Sequence, residues 1–195
     1  MTSVEMKAEL LAYWRYHRQC PVVGVEIWDQ DVYTITKSRS IVWTEIKVSI
    51  SDLRADASKP FHFKVAHLLG IPKEAKGHKE YRNQSKAIYA GYNFLPNQFY
   101  FAVPLEIADK ALEVIEQRYP YAGLLVVRHH PELAFWGDHV SIRKQAPVLH
   151  KGKATIKTIS VVVKKLTGSL ASAYKAVVKA KVQEIPSEPE PNAVS

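Results

Sequence analysis

The stretch Ile41 to Ser49, IVWTEIKVS, decides how the chain is read. Ile41, Val42, Trp43, Ile46 and Val48 are strand formers that favour burial. Glu45 and Lys47 interrupt them two residues apart, so on a strand both leave from the same face. A carboxylate and an ammonium inside a buried strand need partners or a ligand, because burial strips the water that stabilises each charge.

Reading outward, VVGVEIW (22–28) and DVYTITK (31–37) have strand composition, with a tight turn expected at Asp29-Gln30. Ser38-Arg39-Ser40 leads from the second of these into the strand quoted above. A three-residue turn at 38–40 sets Asp31 opposite Lys47, and one at 37–39 sets it opposite Glu45. In either register Asp31, Glu45 and Lys47 share one face, whereas a slip by one residue sends Asp31 to the other. Glu26, on the preceding strand, reaches toward the same place.

Further along, QFYFAV (98–103) and AGLLVVR (122–128) predict strands flanking a helix over 104–119, with Pro104 at its first turn. A strand–helix–strand unit implies a parallel pair, because the crossover helix must cover the sheet. Thr2-x-x-Glu5 is a capping-box pattern that starts a helix running to about Arg18, ended before Pro21. A short helix is expected near Ser51, with Asp52 in its first turn favoured by the helix dipole. The fold class that follows is α/β: a mixed central sheet flanked by helices, carrying a C-terminal helical extension.

Charge narrows the partners. The 195 residues hold 27 Lys+Arg against 19 Asp+Glu, a net charge of +8, and three of the acids lie in the last twelve residues. The preceding chain is therefore more basic than the whole, which favours a polyanion, nucleic acid first. Residues 59–92 read as a basic insertion with loops and one helix over 78–90; seven Lys+Arg there face two acids, among aromatics and histidines. His78, Lys79, Tyr81, Arg82 and Lys86 are its candidate nucleic-acid contacts, by charge and by stacking. His62 and His67 read as ordinary loop or core histidines.

Cys20 is the only cysteine, which excludes an internal disulfide and a cysteine-rich zinc site. The N-terminal residues lack a signal-peptide layout and no apolar run approaches the length of a membrane span. A soluble protein of the cytoplasm, in a bacterial cell or a phage-infected host, is the expectation. A helix over 155–181 carries Ile156, Ile159, Val163, Leu166, Leu170, Tyr174 and Val177 along one stripe and Lys157, Lys164, Lys165, Lys175 and Lys179 on the other side. The stripe is in part heptad-like and offers a homodimer contact. Residues 184–195 read as a disordered acidic tail.

Acid-x-Lys triplets occur at Glu5–Lys7, Glu45–Lys47 and Glu74–Lys76, and only the middle one lies on a buried strand. Carboxylates are the hard oxygen ligands that Mg²⁺ prefers, so Asp31 and Glu45 suit a divalent cation that Lys47 would assist. The competing reading is a salt bridge among Asp31, Glu45 and Lys47 with no ligand at all.

Asp31 followed by Glu45-Ile46-Lys47 on the next strand resembles the Asp…(Asp/Glu)-x-Lys core of the PD-(D/E)xK nuclease superfamily. Gln30 stands where that motif usually has Pro, a residue that is not a ligand. EIKVSISDLRAD (45–56) is similar to a run in small bacterial and phage members, among them the MmcB-like group assigned to DNA repair. FYFAVPLEI and YAGLLVVR are similar to their later strands; the likeness spans roughly residues 20–150, while 59–92 is longer than in compact relatives. The resemblance implies a restriction-endonuclease-like core over 1–150, followed by the helix of 151–183 and the tail. It implies Mg²⁺ or Mn²⁺ held by Asp31, Glu45 and the Ile46 carbonyl, with Glu26 or a helical acid, Glu5 or Glu9, completing the site, and Lys47 assisting an attacking water. DNA would be the substrate and RNA the alternative. A catalytically silent relative that binds nucleic acid or a protein is the competing function.

Overall fold

The computed structural model describes residues 1–28, 30–73, 77, 79, 82, 95–128 and 139–183, the side chains of 178–183 excepted. It divides into two units, residues 1–155 and residues 156–195. The first unit is an α/β layer structure around one six-stranded mixed sheet, in the order β1 (Val22–Ile27), β2 (Gln30–Ile35), β3 (Ile41–Ile46), β4 (Gln98–Pro104), β5 (Ala122–Val127) and β6 (Val140–Lys144). Strands β1, β2 and β3 are antiparallel neighbours, β3, β4 and β5 are parallel, and β6 returns antiparallel to β5.

The β2–β3 register runs from Ile35 opposite Ile41 to Val32 opposite Thr44, so its continuation sets Asp31 opposite Glu45. The turn occupies 37–39, the second of the two expected forms. Thr36 N–H donates to Ser40 O at 2.9 Å, Arg39 N–H donates to Thr36 O at 2.9 Å, and Arg39 takes φ 61°. That is a tight turn followed by a left-handed residue, the usual three-residue hairpin. In β1–β2 the pairing of Ile27 with Gln30 places Gln30, expected in the turn, in the strand. Within β1, Glu26 has φ 54° and is skipped between the pairs Val25–Val32 and Ile27–Gln30.

Alternation on β3 sorts its residues to two different layers. Val42 and Ile46 pack with Val32, Tyr100, Ala102, Leu125 and Val127 against Met6, Leu10, Tyr13 and Trp14. Those last four belong to α1 (Ser3–Ala12) and the π turn Tyr13–His17 that continues it; the expected Thr2–Glu5 capping box starts the helix. Gly123 lies close to this layer, where a Cβ would come within 2.5 Å of the Tyr100 ring and 2.6 Å of Ala146 N.

Trp43 leaves from the opposite face. Its ring meets Phe61 at 5.2 Å, and Phe61 meets Phe99 at 4.8 Å. Phe61 belongs to α3 (Pro60–Leu68), which follows α2 (Ile50–Ala55) and a single 3-10 turn, Asp56–Ser58. The basic stretch that begins at Lys59 therefore does not open as a loop. Pro60 starts a helix whose Phe63, Val65 and Ala66 are buried. The same layer receives Tyr119, which follows α4 (Ala108–Arg118) and packs on Phe101 at 4.8 Å.

The expected helix over 78–90 and most of the rest of the 59–92 stretch lie outside the described residues, as does the tail. The second unit's described part is α5 (Ile156–Gln183), close to its expected bounds, with Leu170, Tyr174 and Val177 exposed. No helix among the described residues is long and apolar enough to cross a membrane.

Candidate active site

Glu45 and Lys47 share the parity of Trp43, so both enter the aromatic layer, and both are buried. There Lys47 Nζ lies 3.1 Å from Glu45 Oε1 and 2.6 Å from Asp56 Oδ1. A second ammonium joins them. Lys59 Nζ contacts the same Glu45 Oε1 and lies 2.7 Å from the same Asp56 Oδ1. Two carboxylate oxygens thus bridge two ammonium groups, a balanced quartet. The Asp52 carboxylate, half exposed on α2, stands 3.9 Å from Lys47 Nζ. Its backbone N–H is held by Ser49 Oγ, so Asp52 has the helix-start role that its position predicts.

Asp56 is anchored from behind. His62 Nε2 lies 2.5 Å from Asp56 Oδ2, and His62 Nδ1 lies 2.8 Å from Tyr121 Oη. Burial pushes the His62 imidazole down to about 4 against the pull of Asp56, so the ring is neutral near pH 7. Burial also pushes the Tyr121 hydroxyl well above its ordinary range, so it keeps its proton. The partners then select the tautomer: Nε2–H donates to Asp56, and Tyr121 O–H donates to Nδ1.

Burial would raise the Asp56 carboxyl, yet hydrogen bonds from His62, Lys47 and Lys59 prevail and hold it well below the usual carboxylate range. Glu45 goes the other way: burial raises its carboxyl despite the two lysines. Lys59 is opposed by burial but lifted above the usual lysine range by Glu45 and Asp56.

Asp31 has a different set of partners. Its Oδ2 accepts the Ile46 N–H at 2.8 Å, capping the end of the β2–β3 ladder, and its Oδ1 lies 3.2 Å from Lys7 Nζ. Lys7 comes from α1 and also holds Glu26. The pairing of Glu26 with Asp31 through one lysine brings two expected site residues together. Glu5 serves the capping box, and Glu9 Oε2 lies 3.5 Å from His139 Nδ1. Lys79 and Arg82 are exposed. His78, Tyr81 and Lys86 lie outside the described residues.

Sequence reasoning placed Glu45 and Lys47 on one buried face and read His62 as a loop or core histidine, which its full burial matches; it gave Asp56, Lys59 and Tyr121 no part in the site. The spacing of Asp56, Lys59 and His62, three residues apart over 56–62, carried a signal: the 3-10 turn of Asp56, the Lys59 cap and the helix from Pro60 bring all three together.

Mg²⁺ is commonly held by one or two carboxylates, with water and substrate phosphate completing its shell; here Asp31 lies one step beyond the last β2–β3 pair, Val32–Thr44, and is held by different groups from Glu45. Each already holds an internal ammonium, from Lys7 and Lys59 respectively. Among the described residues no three His, Cys, Asp or Glu side chains converge as a ready-made metal cluster.

No family model matches the chain, and no curated protein matches it. Among solved structures it is similar to the SPO1766 protein of unknown function from Silicibacter pomeroyi, at 18% identity and a TM-score of 0.49 over 96% of this chain and 99% of that one.

Proposed function

We propose that this chain is a Mg²⁺- or Mn²⁺-dependent nuclease that hydrolyses DNA phosphodiester bonds, in repair, recombination or phage DNA metabolism, and that it works in the cytoplasm. One observation carries the reading. Carried one pair beyond Val32–Thr44, the β2–β3 register sets Asp31 opposite Glu45, with Lys47 buried one step further along the face of Glu45. In this reading the sheet is a restriction-endonuclease-like core. Asp31 and Glu45, with the Ile46 carbonyl, would hold the cation, which would supply Lewis-acid polarisation of the phosphate and a more acidic bound water.

Lys47 has the protein's part in the chemistry. Its ammonium, fixed by Glu45 and Asp56, supplies a positive charge whose position costs no reorganisation during the reaction. Substrate would be held through its phosphates, by Lys79 and Arg82 of the first unit.

The second reading, a silent nuclease-fold protein that binds nucleic acid, is favoured by the ammonium partners already present at Asp31 and Glu45. Linear, nicked and single-stranded DNA, incubated with Mg²⁺, Mn²⁺ or EDTA, separates the two. Metal-dependent cleavage that Glu45→Ala abolishes supports the nuclease. Salt-sensitive binding without cleavage, equal in both proteins, selects the silent module.

A further inference from the structure

Lys47 and Lys59 hold the same two oxygens, Glu45 Oε1 and Asp56 Oδ1, but differ in how firmly they are kept. The Lys47 side chain is 5% exposed and the Lys59 side chain 48%. We propose that Lys59 is a displaceable internal counter-ion, which neutralises Glu45 until a divalent cation takes that carboxylate over. This rests on the metal-dependent reading of the site.

Three features make the exchange inexpensive for Lys59 and hard for Lys47. The Lys59 ammonium borders solvent, so leaving Glu45 does not strand it in the protein interior. Asp56 gives it a second tether, 2.7 Å away, and that carboxylate keeps its charge through His62 and Lys47. The Lys59 backbone is fixed at the start of α3, with its N–H bonded to Asp56 O at 2.9 Å, so only the side chain has to turn.

Electrostatics supplies the drive. Glu45, Asp56, Lys47 and Lys59 carry two charges of each sign. A cation with two positive charges on Glu45 turns that balance into an excess, and the nearest ammonium able to relieve it is the half-exposed one. Lys59 thus occupies the carboxylate in the free protein and shares with Lys47 the task of compensating the buried Glu45.

The test measures binding of Mn²⁺ alone to the full chain, following the loss of the free-ion electron paramagnetic resonance signal, with folding checked by circular dichroism. Wild type is compared with Lys59→Met, with Lys59→Gln (which retains a hydrogen-bonding end and backs up the first variant if it folds poorly), and with Lys59→Gln/Glu45→Gln. Removing the competing ammonium is expected to tighten Mn²⁺ binding about tenfold, a modest effect because the group is half exposed. The second substitution is expected to cancel the gain. Equal Mn²⁺ affinity in wild type and both single variants overturns the displacement while leaving the metal site standing. Weaker binding in folded single variants also overturns it, making Lys59 a helper of the site. No Mn²⁺ binding by any of the four proteins removes the metal-dependent reading itself, and the displacement with it.

Discussion

The two faces of the central sheet are built on opposite principles, although one strand serves both. On the α1 face, Val42 and Ile46 join an apolar layer in which Met6 and Leu10 are fully buried. On the other face, Trp43 joins an aromatic layer that also encloses Glu45, Lys47, Asp56 and His62. The first layer is held by area removed from water and tolerates changes that keep volume. The second is held by charges that satisfy one another, and it tolerates little, since each partner lost leaves another stranded.

The sharpest way to break this contrast is Asp56→Ala. It leaves Lys47 buried without its closest anion and removes a partner from Lys59 and His62, so a loss of about 3–5 kcal/mol is expected in urea unfolding. Leu10→Ala on the other face is the matched control, with an expected loss of about 2–5 kcal/mol. The two should differ in salt response, because a buried charge set and an apolar cavity do not share an electrostatic term.

Acid sharpens the comparison next. His62 is held neutral in the fold, its pKa pushed down to about 4, whereas an unfolded imidazole protonates near 6.5. Between those values the unfolded chain binds the extra proton, so stability is full above about 6.5 and falls as the pH drops toward 4. Asp56, with its lowered carboxyl, extends the loss below the unfolded value of 3.8. Glu45, raised by burial, works in the opposite direction: the fold gains protons there first, so its contribution weakens as the pH rises through its folded pKa. The expected net result is a urea midpoint that declines from pH 6.5 to 4, with a shallower slope in His62→Gln. An unchanged slope would remove His62 as the titrating group.

The smallest expected effect is that of Tyr121→Phe. It deletes one hydroxyl and leaves His62 Nδ1 without its donor, at a cost of about 1–3 kcal/mol, read in the same unfolding measurement. A nuclear magnetic resonance assignment of the ring nitrogens in wild type should find the proton on Nε2.

How far the sequence could be read follows from the range of the interactions involved. The strands around IVWTEIKVS, the capping box and the hairpin depend on neighbours a few residues away, and their patterns gave them up, including the parity of Glu45 and Lys47. The choice between two hairpin registers needed the left-handed φ of Arg39, which an arginine does not advertise. Strand β6 was not anticipated: five residues with Val140 and Ile142 in alternation are too short to stand out. Helix α3 lies in the basic stretch 59–92, whose mix of bases, aromatics and histidines hides its helical period and reads there as loop. The buried quartet itself depends on α3 packing against β3 and β4, which no local pattern encodes. The place of Asp31 was only half legible, for its face followed from period two while its salt bridge to Lys7 came from α1.

The shared oxygens of Glu45 and Asp56 also constrain how this sequence can drift. A single step that removes one member of the quartet leaves an odd charge inside the protein, so neutral change there must come as compensated pairs of substitutions, one acid with one base. Lys59, with half its side chain in water, is the member whose replacement disturbs the buried charge least, and so the position at which the quartet has most room to vary.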